Sequence, residues 1–175
     1  MPAVTPAIDP PLEAKLSLLH EEIMWLAARP RVTPSMARAW YTHVVAPRLS
    51  RRIRHFYGKV SRATVADPEA VLRLEHHARL QSTLTSLVAA QRESGQADKA
   101  AFVRTLLECE NVHIVTFSEN YQAMKADGNY RQTGIKLMAW RSIPEEPRAT
   151  LWARMLKGKV ANAKQFRPGR KHPAP

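Results

Sequence analysis

Cysteine is nearly absent from this chain: Cys109 stands alone among 175 residues. One thiol excludes an intramolecular disulfide and any multi-cysteine zinc site. Glycine is scarce as well, at six residues, and none of them builds a phosphate-cradling Gly-rich loop or a nucleophile elbow. No apolar run is long enough to span a bilayer, and the Pro/Ala-rich start lacks the basic-then-apolar order of a secretory signal. The expectation is a soluble, cytoplasmic protein without a membrane partner or a cofactor.

Acidic residues are missing from two long stretches. Between Glu22 and Asp67 the charges are Arg29, Arg31, Arg38, Arg48, Arg51, Arg52, Arg54, Lys59 and Arg62. From Pro147 onward they are Arg148, Arg154, Lys157, Lys159, Lys164, Arg167, Arg170 and Lys171. These seventeen exceed the net charge of +12, so the remainder of the chain is net negative and the positive charge is local. A concentrated positive field attracts a polyanion and releases its counterions, which points to nucleic acid, DNA or RNA. The alternative for such blocks is a solvated basic surface.

Hydrophobic patterning predicts a mainly α (α+β) protein: a bundle of four N-terminal helices, then a small two-stranded β element and one or two C-terminal helices. Residues 10–166 read as one domain between flexible tails at 1–9 and 167–175. Asp9 with Pro10 and Pro11 caps a first helix ending near Ala28. Its Leu12, Leu16, Leu19, Ile23 and Leu26 form a narrow seam, suited to core packing or to a homo-oligomer. Thr33 and Pro34 open a second helix with Met36, Trp40 and Val44 on one face, which Pro47 kinks or ends.

After Pro47 the alternating four- and three-residue spacing of Leu49, Ile53, Phe56 and Val60 beside Arg48, Arg52, His55 and Lys59 predicts a basic amphipathic helix, widened by Arg51 and Arg54. A long helix from Asp67 to Glu93 then carries Leu72, His76, Leu80, Leu84 and Leu87 on one face. A fourth helix covers about 97–108. Val112 to Phe117 and Ile135 to Trp140 have strand composition, with a helix between them capped by Ser118. A last helix opens at Pro144 and closes at Gly158.

The first site candidate is therefore the row Arg48, Arg51, Arg52, Arg54 and Lys59, whose guanidinium forks suit phosphates. The second is a C-terminal basic arm of Lys157, Lys159, Lys164, Arg167, Arg170 and Lys171. Trp25, Trp40, Trp140 and Trp152 offer an alternative role, docking onto another protein of a nucleoprotein assembly.

Glu75, His76, His77, Glu110, Asn111, His113 and Asn120 supply the ligand types of a divalent metal site without the spacing of a zinc hydrolase. The string from Asn111 to Asn120, Asn-Val-His-Ile-Val-Thr-Phe-Ser-Glu-Asn, resembles the second half of the signature of HNH-type homing endonucleases. There an asparagine precedes a strand ending in Val-Thr, and a helix opens with Glu-Asn. The resemblance implies a structural role for Asn111 and a place near the metal for Asn120, with His113 as a further candidate. It also requires a general-base histidine on a strand about a dozen residues upstream. Residues 96–105 read as helix instead, so the expectation is a non-enzymatic nucleic-acid-binding protein.

Overall fold

The computed structural model describes residues 8–76 and 78–169. His77, Arg170, Lys171 and most of both expected tails lie outside the described residues. The protein is mainly helical with a small sheet, an α+β architecture, and divides into two compact units. One runs up to Ile53 and resumes over Ala78–Glu110; the other takes 54–76 and the chain from Asn111 onward.

The first unit is all-helical. Helix α1 (Pro10–Ala27) starts where the Asp9 carboxylate accepts from Leu12 N at 2.8 Å, with proline in the first turn. Helix α2 (Pro34–Trp40) is capped in the same way by Thr33. Pro47 does not stop the chain. The helix widens into a π turn over Tyr41–Val45 and continues as α3 (Ala46–Ile53). A proline lacks the N–H and crowds the carbonyl one turn back, and a π turn just before it relieves both conflicts.

The expected apolar face of α2 is not the buried one: Met36, Trp40 and Val44 are exposed, and Ala37 and Tyr41 are buried instead. The later helices of this unit are α5 (Leu80–Ser94) and α6 (Lys99–Cys109). Leu12, Leu16, Leu19 and Ile23 pack with Tyr41, Leu84, Phe102 and Leu106, so core packing accounts for the leucine seam.

The second unit carries a four-stranded sheet where two strands are expected. Strand β1 (His55–Ser61) is followed by the short α4 (Arg62–Ala66) and by β2 (Leu72–His76). Strand β3 (Asn111–Thr116) leads into α7 (Phe117–Lys125), then come α8 (Tyr130–Thr133) and β4 (Leu137–Ala139). The order is β2-β3-β1-β4, with β1 parallel to β3, and β2 and β4 antiparallel to their neighbours.

Two expected helices are corrected by this sheet. The basic helix ends at Ile53, and 55–61 is extended. The long helix begins only at Leu80, and 72–76 is extended. A spacing of four residues satisfies one helix face and one strand face equally, because four is a multiple of two. Phe56 with Val60, four apart, and Leu72 with Leu74, two apart, fill the core on one side of the sheet with Val112, Ile114 and Trp140.

The chain closes on α9 (Glu145–Leu151), a π turn over Trp152–Leu156 and a 3-10 turn over Ala163–Phe166. This last segment is fastened to β1. The Asn162 amide accepts from Phe56 N at 2.9 Å and donates to Phe56 O at 3.0 Å, and Ala161 N donates to Arg54 O at 2.8 Å. Phe166 packs at 3.5 Å from where a Cβ on Gly58 would stand, at the irregular register of β1 where Gly58 has φ +73°.

Candidate functional site: a strand-strand-helix element and a basic cleft

β2 and β3 are adjacent antiparallel strands although residues 77–110 separate them in the chain, and those residues include the α5 and α6 helices of the first unit. The register pairs Leu74 with Ile114, Glu75 with His113, and His76 with Val112. Helix α7 follows β3 at once and packs on both strands. Residues directly opposite share a face, so Glu75 and Arg73 stand on the side of His113 and Val115. Arg73 lies over the Phe117 ring, 5.0 Å from its centroid, which places the start of α7 on that same side.

The helix is set by reciprocal capping. Thr116 Oγ1 accepts from Glu119 N at 3.2 Å, and Glu119 Oε2 accepts from Thr116 N at 2.9 Å. Thr116, not Ser118, is therefore the cap. The same carboxylate oxygen accepts from the Ser61 hydroxyl at 2.5 Å, tying α7 to the end of β1. Glu119 is thus occupied by structural bonds. Asn120 follows it, half-buried and without a side-chain hydrogen bond among the described residues.

His113 is 1% exposed and belongs to an aromatic cluster, with ring centroids 5.8 Å from Tyr57 and 6.2 Å from Tyr130. Burial, with Glu75 and then Glu119 nearby, raises the Tyr130 phenol above its ordinary range. The Tyr130 hydroxyl is buried with no hydrogen-bond partner among the described residues. Asn111 is a buried strand opener, 5% exposed.

No group of three or more His, Cys, Asp or Glu side chains suited to a metal occurs among the described residues. The donor types around this element are a carboxylate (Glu75) and an amide oxygen (Asn120), with an imidazole (His76) on the Val112 face at the end of β2. Hard oxygen donors in small number fit Mg²⁺ or Mn²⁺, which keep several waters and take substrate phosphates, better than zinc.

The basic residues do not form one helical row. Arg48, Arg51 and Arg52 are exposed on α3 of the first unit, where Arg52 pairs with Asp9 at 3.4 Å. Arg54 and Lys59 belong to the second unit, and Lys59 is exposed on β1. The C-terminal block is more ordered than an arm: Lys157, Lys159 and Lys164 sit on the folded segment that Asn162 fastens to β1. Lys157, Lys164 and Arg167 line a cleft of about 940 Å³ around Trp152, and no acidic residue lines it among the described residues. Chain patterning missed this cleft because Trp152 and its three cations are spread over a turn and a loop.

Comparison with models of protein families, with curated proteins and with solved structures finds no match to this chain.

Proposed function

We propose that this protein acts on nucleic acid as a divalent-metal-dependent phosphodiester nuclease, with its site on the β2-β3-α7 element. One observation carries the reading: β2 brings His76 into antiparallel pairing with the strand that leads into the Glu119-Asn120 helix. The histidine that the HNH resemblance requires is thereby available from a strand neighbouring β3 in space, with a helical insertion between the two strands in sequence. This gives Glu75 and Asn120, on the α7 side of the sheet, as the residues that would hold the metal, Asn111 as a structural residue of β3, and His76, the last residue of β2, as a general base that would have to reach that side around the strand end.

In this reading His76 takes the proton of a water whose oxygen attacks the phosphorus. The bond to the leaving oxygen breaks, that oxygen takes a proton from solvent water, and the products are a phosphate monoester and a hydroxyl end. A divalent cation at the site supplies Lewis-acid stabilisation of the charge developing on the phosphate. Exposed cations in both units supply the sequence-independent attraction to the polyanion.

The test is cleavage of single-stranded and duplex DNA and RNA with Mg²⁺ or Mn²⁺, with chelator as control. Metal-dependent cleavage that His76→Ala and Asn120→Ala abolish supports the proposal. Binding without cleavage of any of these substrates overturns it in favour of a non-enzymatic nucleic-acid-binding protein.

A further inference from the structure

We infer that the cleft around Trp152 holds a single-stranded stretch of polynucleotide, with an unstacked base on the indole and the flanking phosphates on Lys157, Lys164 and Arg167. The class of ligand rests on the reading above; the chemistry of the nuclease site does not enter. Trp152 opens the π turn that follows α9, and its indole N–H donates to Ala163 O at 2.9 Å. That bond fixes the ring against a segment which Asn162 anchors to β1, so the platform is set before a ligand arrives. Lys157 Nζ and the Arg167 guanidinium each lie 5.9 Å from the indole centroid.

Two cations beside one indole ring, with a third on the cleft wall, reproduce what a nucleotide strand needs: a flat apolar surface for the base and positive charge for its neighbours. The walls contributed by Val160, Ala163 and Pro168 are apolar, and the volume of about 940 Å³ lies at the upper end for ligand clefts. A duplex keeps its bases stacked inside and offers phosphates alone, so it uses the cations and not the indole. This distinction makes the single strand the committed ligand.

The experiment measures binding of the full chain in chelator to fluorescent oligo-dT, oligo-rU, an abasic oligonucleotide and a duplex of equal length. Chelator removes cleavage, so failure here is separate from failure of the nuclease reading. The expected result is that Trp152→Ala weakens oligo-dT or oligo-rU binding roughly tenfold, within the range of one lost base stack, and leaves abasic and duplex binding unchanged. Trp152→Phe keeps a ring and the packing, and retains most of the affinity. The double variant Lys157→Gln/Arg167→Gln weakens all four ligands. Equal binding of the abasic and intact strands by the native protein, or an unaltered affinity in folded Trp152→Ala, overturns the inference. If Trp152→Ala fails to fold, the abasic comparison in the native protein decides alone.

Discussion

Glu75 on β2 and His113 on β3 stand directly opposite each other across the antiparallel pair, and beside them in register His76 faces Val112. Neighbouring histidines on paired strands thus have different environments. His113 is sealed under α7 and α8 among tyrosines, while His76 is half-buried at a strand end. His113→Ala is expected to lower unfolding free energy by about 1–3 kcal/mol through lost packing. His76→Ala is expected to leave stability within about 0.5 kcal/mol and to reduce cleavage roughly 100- to 10,000-fold. Urea denaturation beside a cleavage assay separates the two.

Glu119 joins three elements through one carboxylate, holding Thr116, its own helix and Ser61. Glu119→Ala removes the box and the bond from Ser61, whose hydroxyl keeps Thr64 Oγ1 at 3.0 Å, at a cost of about 1–3 kcal/mol. Thr116→Ala removes the cap alone and costs about 1 kcal/mol. Both variants loosen the helix that carries Asn120, so metal-dependent cleavage should fall in the same order. Equal stability of the two variants would contradict this ranking.

Tyr41 and Glu110 form a buried pair in the helical unit, the phenol donating to Glu110 Oε1 at 2.5 Å with both residues almost fully enclosed. Tyr41→Phe keeps the ring and removes only the donor. A loss of about 1.5–3 kcal/mol is expected, the range for a hydrogen bond to a charged group, and denaturant titration measures it.

Burial pushes the Cys109 thiol up to about 11 from 9.0, with neighbouring Glu110 and Glu108 adding smaller contributions. The native chain keeps its proton where the unfolded chain loses it. The thiol therefore has no effect on stability below about pH 9, and stability falls between about pH 9 and 11 by roughly 1.4 kcal/mol per unit. Cys109→Ala should flatten that part of the profile. A thiol reagent at pH 8 should label Cys109 only as the protein unfolds.

Salt should weaken polynucleotide binding steeply, with a log-log slope of about −0.9 per neutralised duplex phosphate. Replacing Lys157, Lys164 and Arg167 by glutamine should shallow that slope by about three such units on duplex DNA, if each neutralises one phosphate. An affinity unchanged between ~50 and ~200 mM salt would exclude phosphate neutralisation as the mechanism.

Local chemistry was legible in the chain. Asp9 and Thr33 read as caps and are caps, the apolar side of α1 is buried, and a strand and a helix occupy Asn111 to Lys125 as the β-branched run predicts, with Thr116 in place of Ser118 as the cap. The acid-free blocks also located the positive charge. What a linear reading could not decide was which partner each segment meets. Phe56 with Val60, and Leu72 with His76, obey a spacing that a helix and a strand satisfy equally. Hydrogen bonds from β3, distant in sequence, resolved both as strands. The same pairing moved His76 from an expected helix face to the edge of a strand-strand-helix element, and the fastening of Asn162 to β1 turned an expected basic arm into the walls of a cleft. Caps and amphipathic faces depend on neighbours within one turn, so sequence alone determines them. Strand partners and convergent side chains depend on contacts across tens of residues, and only the tertiary structure decides those.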